Sequence, residues 1–241
     1  MSSMRRTALV AGVFYLLTFL SSIPAVFLLG PVLDNRDYIV SPGADTRVLW
    51  GCLLDLVNAF ACIGTAVALF PVVKRQNEGV ALGFVTARVM EAAIIAIGVV
   101  SLLSVVTLRQ AGASGADAAA LVAVGRSLVA IRDWTFLPGP SLIAGVNALL
   151  LGSLLYRSGL VPRVIPVLGL VGAPLLIASA TATMFGINEP VSVWSAIAVA
   201  PIFVWELSLG AWLIARGFNA AALAAEPAGA EPRGQLATRP A

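Results

Sequence analysis

The chain has no histidine. Ser–His intramembrane proteolysis, H-E-x-x-H zinc sites and His-ligated haem are therefore excluded. Cysteine is almost as scarce: Cys52 and Cys62 are the only two. They fall on one expected helix, where ten residues hold them about 15 Å apart, beyond disulfide reach. Both read as small core residues. Lysine occurs once, at Lys74, so arginine supplies the rest of the 15 basic residues. With the abundance of Ala and Gly, this bias points to GC-rich bacterial coding. Charge is short altogether: 11% of residues are charged, against roughly 25% in a soluble domain.

Apolar residues fill that space. They make up 59% of the chain, and the mean hydropathy is +0.96. They fall in blocks of about 20 residues or more, the length that crosses about 30 Å of hydrocarbon as a helix. The expected fold class is all-α: a polytopic membrane helical bundle with six transmembrane helices and one amphipathic surface helix. The lipid bilayer is the partner this composition implies. The net charge of +3 belongs to basic residues at helix ends, where they set topology. Nucleic acid is not an expected partner.

The six spans are Ala8–Leu29, Leu49–Val73, Val80–Leu108, Trp134–Tyr156, Pro162–Phe185 and Val191–Arg216. The first follows Arg5 and Arg6 but is too long for an ordinary signal-peptide core and lacks a convincing A-x-A site, so it reads as a retained helix. Spans two and three, joined by Gln76–Gly79, are expected to be antiparallel neighbours. Span three is long enough that it must tilt or protrude. Between spans three and four, residues Ala116–Asp133 carry Leu121, Val124, Leu128 and Ile131 at helical spacing beside Arg126, Arg132 and Asp133. This is the expected surface helix. An extension of span four is the alternative, with Pro138-Gly139-Pro140 expected to kink or break it. Pro162 suits a first helical turn, Pro166 and Pro174 are expected to bend span five, and Gly217 is a natural stop for span six. Residues 1–217 are thus expected as a six-helix transmembrane domain. Residues 218–241, rich in Ala, Pro, Gly and Glu, are expected as a disordered cytoplasmic tail.

With the N-terminus inside, the inner side collects Arg5, Arg6, Lys74, Arg75, Arg157, Arg163, Arg216, Arg233 and Arg239. The outer side collects Arg36, Arg47, Arg109, Arg126 and Arg132. The inner set is larger and sits on the shorter loops, so both termini are expected in the cytoplasm.

Four ionisable residues fall inside the spans: Asp55, Arg88, Glu91 and Glu206. Arg88 and Glu91 are three apart and share a helix face. A charge near the bilayer centre costs roughly 3 kcal/mol on insertion scales, so the pair must face protein, water or a partner charge. Counting from span midpoints, Arg88 lies about 8 Å and Glu91 and Glu206 about 4 Å to the inner side, while Asp55 lies about 8 Å to the outer side. Arg88, Glu91 and Glu206 can therefore meet in depth as an intramembrane polar network, and Asp55 is expected to stay apart from it. One guanidinium between two carboxylates leaves a net −1 when all are ionised, which favours one bound proton. Asp55 and Asn58 form a second, outer-facing polar stripe that Cys62 and Thr65 continue. Such a stripe lines a cavity or serves as a packing seam of small and polar residues. Trp50, Trp134, Trp194 and Trp212 sit near span ends as interfacial anchors. Trp205 is placed to wall off Glu206. No metal ligands and no cofactor are expected.

Three segments, NEGVALGFVTARVMEA, LLYRSGLVPRVIPVLGLVG and WELSLGAWLIARGF, taken in that order, resemble the bacterial membrane-protein family catalogued as domain of unknown function 4386. The resemblance runs from about Arg5 to Phe218. Its matching polar positions are Glu78, Arg88, Glu91, Arg157, Pro162 and Glu206. It implies a six-helix, multi-pass protein of the bacterial cytoplasmic (inner) membrane and brings no activity, substrate or cofactor.

Three functions are compatible with these residues. In the first, the network stabilises the bundle of a structural or regulatory membrane protein. The second is a small proton- or ion-coupled permease, which with six spans is expected to work as a homodimer; nothing in the sequence names its small-molecule substrate. The third is a membrane enzyme acting on a lipid or isoprenoid, for which the usual D-x-x-x-D or D-D-x-x-D spacing is missing. A catalytic role is the least supported of these.

Overall fold

A computed structural model describes residues 3–41, 43, 45–112 and 118–224. Among them there is no strand. The helices are α1 (Ser3–Asp34), α2 (Asp45–Val73), α3 (Glu78–Ala111), α4 (Ala118–Phe136), α5 (Ala144–Ser158), α6 (Val164–Met184), α7 (Val193–Ala215) and the short α8 (Ala220–Ala224). A 3-10 turn, Tyr38–Val40, lies between α1 and α2, and a π turn, Leu137–Ile143, joins α4 to α5. Six of these segments are long and apolar enough to cross a membrane, with Ala118–Ser158 counting as one of 41 residues. The protein is a multi-pass integral membrane protein.

The spans expected from apolar runs mark only the parts of the helices that match hydrocarbon. α1 and α3 run past them at both ends, to 32 and 34 residues, because polar residues continue a helix wherever water can reach them. α1 passes through Pro31, beyond the end of the expected span at Leu29. A proline within a helix leaves the carbonyl four residues back without its bond, here Phe27, and the guanidinium of Arg47 on α2 donates to that oxygen at 2.6 Å. α6 begins two residues later than expected: Pro162 belongs to the preceding turn, and its carbonyl accepts from Ile165 N at 3.0 Å. At Asn77 the side chain caps α3 by accepting from Val80 N at 3.0 Å, which fixes the tight α2–α3 connection. Gly217, at φ +76, ends α7 as expected.

Of the two arrangements open for the Ala116–Asp133 segment, its described part is continuous with the fourth span. Pro138 and Pro140 do not break the helix. They are absorbed in the π turn, whose wider spacing accommodates residues without an N–H. α4 packs lengthwise on the second half of α3. Its seam is Leu121, Gly125, Leu128 and Arg132, one position round from the apolar face read in the sequence, which leaves Val124 and Ile131 more than 40% exposed. A side chain at Gly125 would press on Ile39, with its Cβ 3.1 Å from Ile39 atoms.

The other helices close a ring in the order α1–α2–α3–α5–α6–α7, with α7 returning to α1. Small residues bring the backbones close: a Cβ at Gly12 would lie 2.7 Å from the carbonyl oxygen of Gly210, and one at Gly169 2.6 Å from the Trp205 ring. This is how helices associate when lipid is as apolar as their side chains. The outward faces are themselves apolar, with Leu20 and Phe60 each 70% exposed. The start of α1 and the end of α7 meet at what is called here the basal end. There Arg5 donates to the carbonyls of Leu213 at 2.8 Å and Ile214 at 2.5 Å, satisfying groups that a helix end leaves open. At the distal end, Arg109 forms an ion pair with Asp45 and donates to the carbonyls of Ser41 at 2.9 Å and Gly43 at 3.1 Å. The Tyr38 hydroxyl donates to Asp45 at 3.0 Å. Burial holds that phenol above its ordinary range, with Arg109 pulling the other way. Of the expected disordered tail, residues 218–224 are instead ordered, with Asn219 bonded to Leu160 and Ala220–Ala224 forming α8; the remainder lies outside the described residues.

Candidate functional site

Arg88 projects from α3 into the ring and is 2% exposed. One guanidinium nitrogen donates to Glu91 Oε2 at 3.1 Å, and the other donates to Glu206 Oε1 on α7 at 2.6 Å. Sequence spacing dictates the first contact, since a side chain three residues on lies over the same helix face. The second depends on the ring closing, which brings α7 back to within reach of α3.

Further partners complete the shell. Asn147 on α5 donates to Glu91 Oε2 at 2.7 Å. Arg88 donates to the Tyr15 oxygen on α1 at 3.5 Å and lies 3.7 Å from Cys62 Sγ on α2. Its guanidinium carbon sits 5.5 Å from the centroid of the Tyr15 ring and 5.9 Å from that of Phe84, distances at which a cation is attracted to an aromatic ring. Five helices thus converge on the Arg88–Glu91 pair, α5 through Glu91 alone. Glu91 is 5% exposed and Asn147 and Tyr15 are fully buried. The Glu206 side chain, at 16%, is the most open of the charged groups. Arg88 Nε, Asn147 Oδ1 and Trp205 Nε1 are buried without a hydrogen-bond partner. Trp205 turns its ring onto Gly169 of α6.

Asp55 does not join this network. It is 7% exposed and pairs with Arg132 of α4 at 3.4 Å. Arg132 also lies 5.4 Å from the centroid of the Phe136 ring. Beside the pair is a cavity of about 20 Å³, lined by Asp55, Ile95, Arg132, Thr135, Phe136 and Pro140. That is room for about one water. Asn58 is half-buried, and the Cys62 thiol lies 4.0 Å from its Oδ1. The stripe Asp55–Asn58–Cys62 therefore runs from the Arg132 pair to the Arg88 network as a polar seam on α2.

Three contributors escaped the sequence reading. Tyr15 carried no signal beyond being one of 3 tyrosines. Asn147 did carry one, as an isolated amide in an apolar run. Arg132, which the sequence places among the charges of an amphipathic surface helix, is turned inward against α3 and Asp55. Among the described residues no group of three or more His, Cys, Asp or Glu is placed to hold a metal ion.

No curated protein and no solved structure matches the chain. The family model described as domain of unknown function (DUF4386) matches residues 10–217, from the second turn of α1 to the glycine that ends α7, and so takes in every residue of the Arg88 network. The chain belongs to the DUF4386 family.

Proposed function

We propose that the Arg88 network is a structural clamp, and that the protein is a compact membrane-embedded module whose partners act through its loops and ends. The carrying observation is the enclosure of the central pair: Arg88 is 2% and Glu91 5% exposed, and the guanidinium ties a carboxylate of its own helix to one on α7. A transport site needs a route for its cargo. The cavities described above and below have none of Arg88, Glu91 or Glu206 in their walls. Breaking a buried ion pair from one side is strongly destabilising because it strands the partner charge. That penalty is what makes the trio a clamp.

The expected location is the bacterial cytoplasmic membrane, with both termini on the cytoplasmic side. The support is the excess of basic residues at the basal end, where Arg5, Arg6, Lys74, Arg75, Arg157 and Arg163 gather.

A second reading, a proton- or ion-coupled permease, is favoured by two observations: the partial exposure of Glu206 and the polar seam along α2 that links the Asp55 pair to Arg88. One experiment separates the two. For a clamp, Arg88→Ala lowers thermal stability in detergent severely, by about 3–5 kcal/mol, while Glu206→Gln, which keeps an acceptor for Arg88, costs far less. Liposomes holding the parent protein then keep an imposed pH gradient as long as empty ones. Equal tolerance of the two substitutions sinks the clamp. A proton leak that Glu206→Gln abolishes establishes the permease instead.

A further inference from the structure

At the basal end, away from the Arg88 network, a cavity of about 290 Å³ lies between the α5–α6 turn and the end of α7. Its walls include Val161, Pro162, Trp212, Phe218 and Asn219, with Arg216 at its edge. We infer that this cavity binds the phosphate of an anionic phospholipid, with Arg216 as its cation and the Trp212 and Phe218 rings against the glycerol and first methylenes.

The walls are built and fixed. Asn219 N donates to the carbonyl of Leu160 at 2.8 Å and its side-chain amide donates to that of Gly159 at 3.4 Å, strapping the residues after α7 across the α5–α6 turn. Arg216 is exposed, and among the described residues its guanidinium has no hydrogen bond or ion pair. The ordinary task of an arginine at a helix C-terminus is to satisfy the last carbonyls. Here Arg5 does that for Leu213 and Ile214, and Trp212 O accepts from the backbone N–H groups of Arg216 and Gly217. The Arg216 head is thus left for a ligand.

Charge and position name the ligand class. Around the cavity the basal end presents Arg5, Arg6, Lys74, Arg75, Arg157 and Arg163, and Glu78 is the one acid among its described residues. Such an end concentrates anions, and basic pockets between membrane helices favour anionic head groups. Arginine offers a planar fork that matches phosphate oxygens. The apolar share of the wall and its place at the helix ends, where hydrocarbon gives way to head groups, suit a lipid rather than a free ion.

The test uses the full chain in neutral detergent, with melting temperature followed against dioctanoyl phosphatidylglycerol, dioctanoyl phosphatidylcholine and inorganic phosphate. The expected result is a saturable rise with phosphatidylglycerol alone. Arg216→Gln weakens the apparent affinity about tenfold, the loss of a charge-assisted contact. Arg75→Gln, which removes the same charge from the same end but outside the cavity, leaves it within about twofold. Equal weakening in both variants, or an equal rise with phosphatidylcholine or inorganic phosphate, overturns the site. If Arg216→Gln lowers the lipid-free melting temperature, phosphatidylglycerol retention in native mass spectrometry decides: one molecule fewer on the variant supports the site, and an equal count overturns it.

Discussion

Gly98 of α3 lies directly against the Arg132 side chain of α4: a Cβ there would fall 2.8 Å from Arg132 Cδ and 2.7 Å from Thr135 Oγ1. The missing side chain is what lets α4 close on α3 and set the guanidinium beside Asp55. Gly98→Leu therefore forces the helices apart and lowers stability by about 1–3 kcal/mol. Gly83→Ala on the same helix, whose nearest neighbours are Leu150 atoms at 3.7 and 3.8 Å, is neutral or stabilising by up to about 1 kcal/mol, the helix preference for Ala. Thermal unfolding of the two variants in detergent checks this, and an undiminished Gly98→Leu protein contradicts the close α3–α4 seat.

Asp55 and Arg132 are each about one-tenth exposed as side chains, so neither is well solvated without the other. Asp55→Asn and Arg132→Gln alone each strand a charge, at about 3 kcal/mol. Made together they strand none, and the double variant recovers part of the summed loss. A double-mutant cycle on unfolding free energies measures this coupling, and strictly additive losses would put the two side chains in separate environments.

Pro31 and Arg47 are linked through one carbonyl, that of Phe27. Arg47→Gln costs about 1 kcal/mol in the parent. In a Pro31→Ala background the new N–H at position 31 takes over that carbonyl, and the same Arg47→Gln change costs measurably less. Unfolding of the four proteins tests it; an unchanged cost shows that Arg47 acts elsewhere.

The six crossings were legible because each helix must be apolar on every face that meets lipid, a signal carried by composition more than by periodicity. The meeting of Arg88, Glu91 and Glu206 followed from depth, since charges in lipid must find one another and few are present. The α4 segment was harder to read. Leu121, Val124, Leu128 and Ile131 fit helical spacing as well as the packed seam does, and nothing local says that Gly125 and Arg132 are the residues turned inward. Only Gly98 on a distant segment makes room for Arg132, and only the π turn keeps Pro138 and Pro140 from ending the helix. Tyr15 joins the network through ring closure, which no local pattern encodes.

The separation of 118 positions along the chain between Arg88 and Glu206 also imposes an order on biogenesis. A growing chain releases α3 into the bilayer well before α7 exists, so Arg88 enters lipid accompanied by Glu91, the acid that travels on its own helix. Glu206 arrives later, with α7. That helix thus brings a charge that the nascent bundle already holds a place for, and its docking is drawn by electrostatic attraction through a medium that screens it poorly.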